Sequence, residues 1–400
     1  MALCFFAPIS LTITKLISIL IILLWLFSGQ YKLKTLSVLN NKLALASIIF
    51  FMFHVFSLIW TEDLRWGWII LRKMIEFLIF IPVLLTIAKY ENFKIYLFAF
   101  SLGIFFTAIF ILLTYSGHPI SLPYGKGASL SPFMSSTSQG VFFAFAIFVG
   151  LSETYRNLKL DSKKGRVHSF FWVIFVILIA VINFNSDSRV GYIASLIALF
   201  VFFFMNFKFR FFLILFSSFM FLLISFSYNY SETFKSRVDL ANAEISQYLN
   251  GEYKTRSSLI QRLYWSEKSI EIIRDNFFHG VGIGDFKDEM SLYAKEDKTD
   301  IRPHANPHNM YLLVFSTTGV FGFLSLLSIF FITMNKTYKE KNNMKKSYGV
   351  FLNLVFMSIM FSDTYLLGHF TQLLFAIFLS ALYSKPYITQ NENFNNYSKI

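Results

Sequence analysis

The sequence predicts an all-α membrane protein that crosses the bilayer about eleven or twelve times. Hydrophobic residues make up 55% of the 400, phenylalanine alone contributes 52, and long apolar runs recur along the chain. One polar segment, between Tyr228 and His308, interrupts these runs. Because a soluble domain could not bury so much apolar surface, the chain is predicted to lie in a membrane, with its chemistry concentrated in the polar segment.

Individual spans follow from the rule that a crossing helix needs roughly 20 mostly apolar residues, with its charges at the ends. Spans are predicted near residues 11–27, 43–60, 68–88, 93–115, 133–151, 170–184, 190–205, 211–228, 310–334, 350–363 and 365–383. Residues 1–9 are too short to cross alone, and they either form a twelfth, partly inserted helix or begin the first span. The predicted domains are a membrane bundle (1–228), a helical periplasmic loop (229–307), and C-terminal spans with a cytoplasmic tail (308–400).

The positions of lysine and arginine predict the orientation, because short loops rich in these residues stay in the cytoplasm. Cation-rich loops at 32–42, 89–94, 156–166, 208–210 and 336–346 alternate with loops that are poor in cations. The polar segment falls on the second, exterior side of the membrane. The net charge of +13 is therefore a signature of topology and does not indicate a nucleic-acid partner.

The polar segment ends in a histidine-rich stretch directly before a long apolar run. Residues 302–309 read Arg-Pro-His-Ala-Asn-Pro-His-Asn, and Pro307 is predicted to pre-set the first turn of the following helix. His308 should then lie at the membrane boundary, where an imidazole can exchange protons near neutral pH. The alternative is a histidine that only caps the helix or bonds to a loop carbonyl. His304 precedes it by four residues, but the flanking prolines and the absence of an HExxH motif or cysteine pair argue against a metal.

Two arginines are candidates for binding an anion. Arg189 lies between two predicted spans with almost no loop, and an arginine at that depth usually faces a polar cavity. An ion pair with Asp187 is the alternative. Arg262 begins a pattern that predicts an amphipathic helix lying against the membrane face. Its alternative role is to extend to the interface without binding a substrate.

A glycine-rich stretch, Gly-Val-Gly-Ile-Gly at 280–284, lies between these candidates. It does not follow a strand and faces the exterior, so a tight turn between two helices is favoured over a nucleotide-binding loop. The exterior loops contain no nucleophile elbow, no carboxylate pair at glycosidase spacing and no Asp-x-Asp metal motif. Cys4 is the only cysteine, which excludes an intramolecular disulfide.

In their order along the chain, these motifs resemble the O-antigen ligase and polymerase superfamily. The shared features are Ser188-Arg189 followed by Gly191 at a span start, Arg-Leu-Tyr-Trp at 262–265 leading to Gly-Val-Gly-Ile-Gly-x-Phe, and His308-Asn309 followed by Gly319 and Gly322. Each motif alone is loose, whereas their order and the one large exterior loop before the last three spans are specific. The resemblance covers nearly the whole chain. One departure is Ile193, where ligases often carry leucine, and this exchange is conservative.

The resemblance implies an inverting, metal-independent glycosyltransferase of the bacterial inner membrane that needs no cofactor and faces the periplasm. Its donor would be undecaprenyl-diphosphate-linked O-antigen, whose tail would rest among the Phe-rich helices and membrane lipids, and its acceptor a sugar hydroxyl of lipid A-core. Matched by position, Arg189 and Arg262 would bind the diphosphate, and His308 would be the essential histidine. Accessory contacts are expected from Lys126, Arg302 and Asn309.

Three alternatives remain open. The polymerase of the superfamily uses a second lipid-linked glycan as acceptor, and a protein O-oligosaccharyltransferase uses a serine or threonine hydroxyl. The compact polar segment favours the ligase over the polymerase. A transporter of lipid-linked glycans would belong to another class, and it is expected to show inverted repeats and broken helices that the sequence does not indicate.

Overall fold

The computed structural model of the protein describes residues 1–116, 131–186, 188–208, 232–250 and 257–386, together with isolated positions between 211 and 225. Within these ranges the regular structure is entirely helical, which confirms the predicted all-α class. The α-helices are α1 (Ala2–Phe6), α2 (Leu11–Phe27), α3 (Tyr31–Leu39), α4 (Lys42–Phe56), α5 (Leu64–Leu78), α6 (Phe80–Ile87), α7 (Phe93–Tyr115), α8 (Ser136–Lys159), α9 (Lys163–Asn185), α10 (Arg189–Asn206), α11 (Glu232–Leu249), α12 (Ser258–Asp275), α13 (Phe286–Glu296), α14 (Met310–Lys339), α15 (Asn343–Ile359) and α16 (His369–Tyr383).

Five helices among the described residues are long and apolar enough to cross a membrane, or six if α2 and α3, which are bent by 118°, form one span. The polytopic class is confirmed, but the predicted number of about eleven to twelve crossings is larger than this count. Most other predicted spans are helices that are shorter, or, like α8, polar at both ends. The prediction at 211–228 lies largely outside the described residues.

The predicted span at 68–88 is not one continuous helix. It consists of α5 and α6, which meet at Ile79. Pro82 explains this break, because a proline ring clashes with the carbonyl of the residue four positions earlier, here Leu78. Helix α5 ends at that residue, and α6 accommodates Pro82 in its first turn, where a missing N–H costs nothing.

Helix α8 is at the centre of the bundle. Every residue from 139 to 150 is buried, and α8 packs against α7, α9, α10 and α16. Phenylalanine rings fill the contacts with the C-terminal helices, where Phe148 stacks on Phe351 with ring centroids 4.1 Å apart. A Cβ atom at Gly140 would lie 2.6 Å from the Cα of Gly191, so these two glycines allow α8 and α10 to approach closely.

The glycine-rich stretch forms the predicted turn, which connects α12 to α13 and packs into a break in α14. The break is at Gly319, with φ of 68° and ψ of −171°. The backbone N–H of Val281 donates to the carbonyl of Ser316 at 2.9 Å across this contact. A Cβ atom at Gly319 would lie 2.2 Å from the carbonyl oxygen of Phe278. Only glycine therefore fits where the turn meets the broken helix.

We expect Gly319→Ala to destabilise the fold much more than Gly29→Ala. Both glycines have φ of +68°, so alanine at either position carries a backbone strain on the order of 1–3 kcal/mol. No atom lies within 4 Å of a Cβ at Gly29, whereas a Cβ at Gly319 would meet backbone. Thermal unfolding of both variants in detergent measures the difference, and equal losses in Tm would contradict the packing described above.

Candidate active site

A polar cavity of about 420 Å³ lies where the chain preceding α14 meets α5, the start of α8 and the loop between α15 and α16. Its size falls within the range of small-molecule sites, roughly 300–1,000 Å³. The polar residues that line it include Lys73, Ser135, Ser138, His304, Asn306 and Asp363. We call this space the His304 cavity.

His308 lies directly before α14, beside this cavity. Asn309 caps the helix, because its side-chain oxygen accepts hydrogen bonds from the N–H groups of Tyr311 and Leu312 at 3.0 and 3.1 Å. The backbone of His308 is left-handed, with φ of 54°. The structure places His308 at the start of the helix, as the sequence predicts. The helix begins at Met310, however, so Pro307 lies outside its first turn and does not have the predicted role.

Asp363 pairs with the imidazole of His308. Its Oδ1 lies 3.2 Å from Nδ1 of His308, and it also accepts hydrogen bonds from the N–H of Thr364 at 2.7 Å and from Nδ2 of Asn306 at 3.2 Å. Burial acts to raise the pKa of this carboxyl, but the interaction with the His308 ring and the hydrogen bonds from Thr364 and Asn306 outweigh it and hold the pKa below its usual value. Asp363 is therefore a carboxylate at neutral pH.

The position of this carboxylate bears on the tautomer of His308. Nδ1 is buried and makes no hydrogen bond among the described residues, so the Asp363 carboxylate 3.2 Å away is the charged group that acts on it. A carboxylate at this position favours the proton on Nδ1, which leaves Nε2 free to accept another proton. The side chain is 22% exposed, and since Nδ1 is buried, that exposure belongs to the rest of the ring. His308 thus faces a carboxylate with its buried nitrogen, while the rest of its ring is partly exposed.

Aromatic stacking fixes the plane of the same ring. The imidazoles of His304 and His308 stack with centroids 5.0 Å apart, and the indole of Trp265 lies 5.0 Å from the first ring and 5.5 Å from the second. The indole N–H donates to the carbonyl oxygen of Arg302 at 3.2 Å. Helix α12 therefore contacts the histidines directly through Trp265.

Arg262 lies one helical turn before Trp265 on α12. Its side chain is exposed, and no carboxylate of the described residues pairs with it. Its positive charge still acts on the loop beside His308. Burial and the charge of Asp363 raise the pKa of Tyr365, and Arg262 opposes them. Arg262 therefore lies close enough to Tyr365, a lining residue of the His304 cavity, for its charge to act there, and no carboxylate of the described residues neutralises it.

Arg189 is the first residue of α10, and Ser188 caps this helix. The close contact between Gly191 and Gly140 places the start of α10 against α8, near the serines that line the cavity. Arg189 is exposed and makes no direct contact with His308 in the described structure. Its predicted alternative partner, Asp187, lies outside the described residues, as does the predicted accessory Lys126.

The other predicted accessory residues have structural contacts. Arg302 is exposed, and its carbonyl oxygen holds Trp265 in place. The side chain of Asn309 is used in the helix cap. Among the residues that the structure describes, no group of three or more His, Cys, Asp or Glu side chains could hold a metal ion.

The two charged residues that line the cavity, Asp363 and Lys73, were not predicted from the sequence. Asp363 is 55 positions after His308 in the chain, and only folding brings the two together. Lys73 lines the cavity from α5, with Nζ 5.9 Å from the centroid of the Trp66 ring. Arg72 and Lys73 fall within a predicted span, and an intramembrane cation of this kind is a signal for a polar cavity.

The fold and this site define a polytopic membrane protein with a carboxylate-oriented histidine at the end of its helix bundle. Residues 173–327 match the family described as O-antigen ligase. This match confirms the predicted resemblance to the O-antigen ligase and polymerase superfamily. The matched segment contains Arg189, Arg262 and His308, but it ends before Asp363. No significant match was found among curated proteins.

We expect Asp363→Asn to destabilise the protein at neutral pH by about 1–3 kcal/mol, since hydrogen bonds to a charged acceptor are weakened. The folded-state pKa of Asp363 is lowered, so its contribution is present above the unfolded value and is lost as the pH falls through the folded value. The Tm difference between wild type and variant should therefore vanish in acid.

Thermal unfolding between pH 7 and pH 3 measures this difference. The control is Asp275→Asn, because Asp275 is 53% exposed in its pair with Arg274. A Tm for Asp363→Asn equal to that of the control at pH 7 would exclude a stabilising pair with His308.

Proposed function

We propose that the protein is an O-antigen ligase, a membrane glycosyltransferase that transfers O-antigen from undecaprenyl diphosphate to a sugar hydroxyl of lipid A-core at the periplasmic face. The observation that carries this proposal is the His308–Asp363 pair beside a polar cavity, with His308 inside the segment that matches the O-antigen ligase family. The polar segment, predicted to be exterior, supports the periplasmic side.

His308 is the proposed general base. Nε2 accepts the proton of the acceptor hydroxyl while its oxygen attacks the anomeric carbon of the donor. Asp363, 3.2 Å from Nδ1, stabilises the imidazolium that forms. The new C–O bond forms on the face opposite the leaving group, so configuration inverts in one displacement.

Three cations, Arg189, Arg262 and Lys73, are proposed to stabilise the leaving group. The bond between the anomeric carbon and the diphosphate oxygen breaks, and the electron pair leaves with undecaprenyl diphosphate. Arg189 and Arg262, exposed and without a carboxylate partner among the described residues, can each form a bidentate contact with a phosphate. Lys73 supplies a further positive charge inside the cavity. The negative charge that develops on the diphosphate as it leaves is thus stabilised by preorganised cations.

The lipopolysaccharide of a deletion strain distinguishes the ligase from the polymerase. Without a ligase, lipid A-core should carry no polymer, while long polymer remains on the lipid carrier. Gel profiles of the lipopolysaccharide and of the carrier fraction measure the polymer on lipid A-core and the polymer on the lipid carrier. A core that carries one repeat unit would instead identify a polymerase, and an unchanged profile would contradict both activities.

Arg189→Lys and Arg262→Lys should each lose most transfer activity although the charge is kept. An ammonium group cannot reproduce the planar two-point contact of a guanidinium with a diphosphate. The matched control is Arg274→Lys on the same helix as Arg262, because Arg274 is 74% exposed and paired with Asp275. Transfer rates with purified donor and lipid A-core test this, and near-normal rates in both lysine variants would remove the arginines from the mechanism.

His308→Ala should fold, insert and bind the donor, yet transfer glycan roughly 10²–10⁴-fold more slowly, the loss expected for a general base. His304→Ala should be far milder, because His304 is exposed and its Nδ1 bonds to the carbonyl oxygen of Asn306 at 2.9 Å. Transfer and donor binding are measured in parallel. If His308→Ala loses donor binding as fully as transfer, His308 is a phosphate ligand or a fold element instead.

A further inference from the structure

A second cavity, of about 660 Å³, lies between α7, α8 and α9 near the C-terminal end of α8. The His304 cavity is at the opposite end of this helix, where it is lined by Ser138. From Ser138 to Glu153 the helix rises roughly 22 Å. The two cavities therefore lie at different depths of the bundle, and we call the second one the Arg156 groove.

Most of the Arg156 groove is lined by aromatic and aliphatic side chains. Phe98 and Phe171 stand at its opening and are 61% and 64% exposed in the part of the chain that the structure describes. Trp172 and Phe175 line the interior. An apolar groove that opens sideways from a membrane helix bundle is suited to hydrocarbon chains.

One end of the groove is polar and carries unsatisfied donors. Lys94, Arg156 and His168 line this end together with Glu153. Arg156 pairs with Glu153 through Nη2, but its Nη1 is buried without a hydrogen-bond partner among the described residues. The hydroxyl of Ser101, a residue only 5% exposed, also lines the groove and has no partner there. Buried donors of this kind are costly unless a ligand satisfies them.

We propose that the Arg156 groove binds an anionic glycerophospholipid of the surrounding bilayer. Its phosphate accepts a hydrogen bond from Arg156 and pairs with Lys94, an ester carbonyl oxygen deeper in the groove accepts from Ser101, and its acyl chains lie along Phe98, Phe171 and Phe175. The charges fit this ligand, since Glu153 neutralises only one of the two permanent cations at the polar end. A zwitterionic lipid would instead place its own positively charged head group beside these two cations.

Trp172 provides a direct probe of this site. The purified full-length protein in detergent is titrated with phosphatidylglycerol or phosphatidylcholine that carries brominated acyl chains, which quench a nearby indole. The chain has 6 tryptophans, so the difference from Trp172→Phe isolates the signal. We expect saturable quenching by phosphatidylglycerol, with phosphatidylcholine at least about fivefold weaker. Equal quenching by the two lipids would overturn the proposal.

Charge variants test whether the polar end of the groove is responsible. Lys94→Gln and the double variant Glu153→Gln with Arg156→Gln, which leaves no buried carboxylate unpaired, should each weaken phosphatidylglycerol binding about fivefold. The control is Arg166→Gln on α9, because Arg166 is 65% exposed and does not line the groove. If the control loses as much affinity for phosphatidylglycerol as the test variants, or if the two test variants lose none, binding is not specific to this groove.

Two competing occupants are checked in the same assay. Displacement of phosphatidylglycerol by undecaprenyl phosphate at a lower concentration would assign the groove to the lipid carrier and overturn the proposal. Loss of quenching in parallel with dimer formation, measured by mass photometry, would mean that a second copy of the chain covers the groove. The proposal is supported if phosphatidylglycerol binds to the monomer and the lipid carrier does not diminish this binding.

Discussion

The close backbone contact between the glycine-rich turn and the break in α14 is the constraint on which the site depends. The N–H groups of Val281 and Gly282 in the turn donate to carbonyls of α14 at 2.9 and 3.0 Å, and the carbonyl of Phe277, shortly before the turn, accepts from the N–H of Val320 at 2.9 Å. Asp285, at the end of this turn, accepts from the backbone of Glu62 and Asp63 at 2.7–3.1 Å. The turn thus joins α14 to the start of α5, and it directly follows α12, which packs against α14.

The geometry of His308 follows from that arrangement. Its ring is held on one side by Trp265 of α12 and on the other by Asp363 of the α15–α16 loop. A further backbone bond, from the N–H of Met310 to the carbonyl of Met360 at 2.8 Å, keeps this loop beside the start of α14. The imidazole is therefore oriented by packing and by charge from two separate elements, which gives a precise position to a residue on an otherwise irregular segment.

The sequence predicts the helical class, the turn at 280–284 and the place of His308 because each rests on local pattern: apolar runs, glycine spacing and a boundary between polar and apolar residues. It does not predict Asp363 or Lys73, since both reach the cavity through tertiary packing between distant parts of the chain. The break at Ile79 could have been read from Pro82. The roles proposed for Arg189 and Arg262 remain predictions, whereas their exposure and their lack of carboxylate partners among the described residues are observed.

Helix α8 explains how two polar sites can exist in so apolar a bundle. Its middle, residues 139–150, is buried on all sides and contains almost only apolar residues, which keeps water and charge away from the centre of the bundle. Its ends are polar: Ser135 caps the N-terminus beside the His304 cavity, and Arg156 and Lys159 occupy the last turn. Cations at a helix C-terminus are favoured by the helix dipole. The same helix thus separates the two sites and supplies polar groups to both.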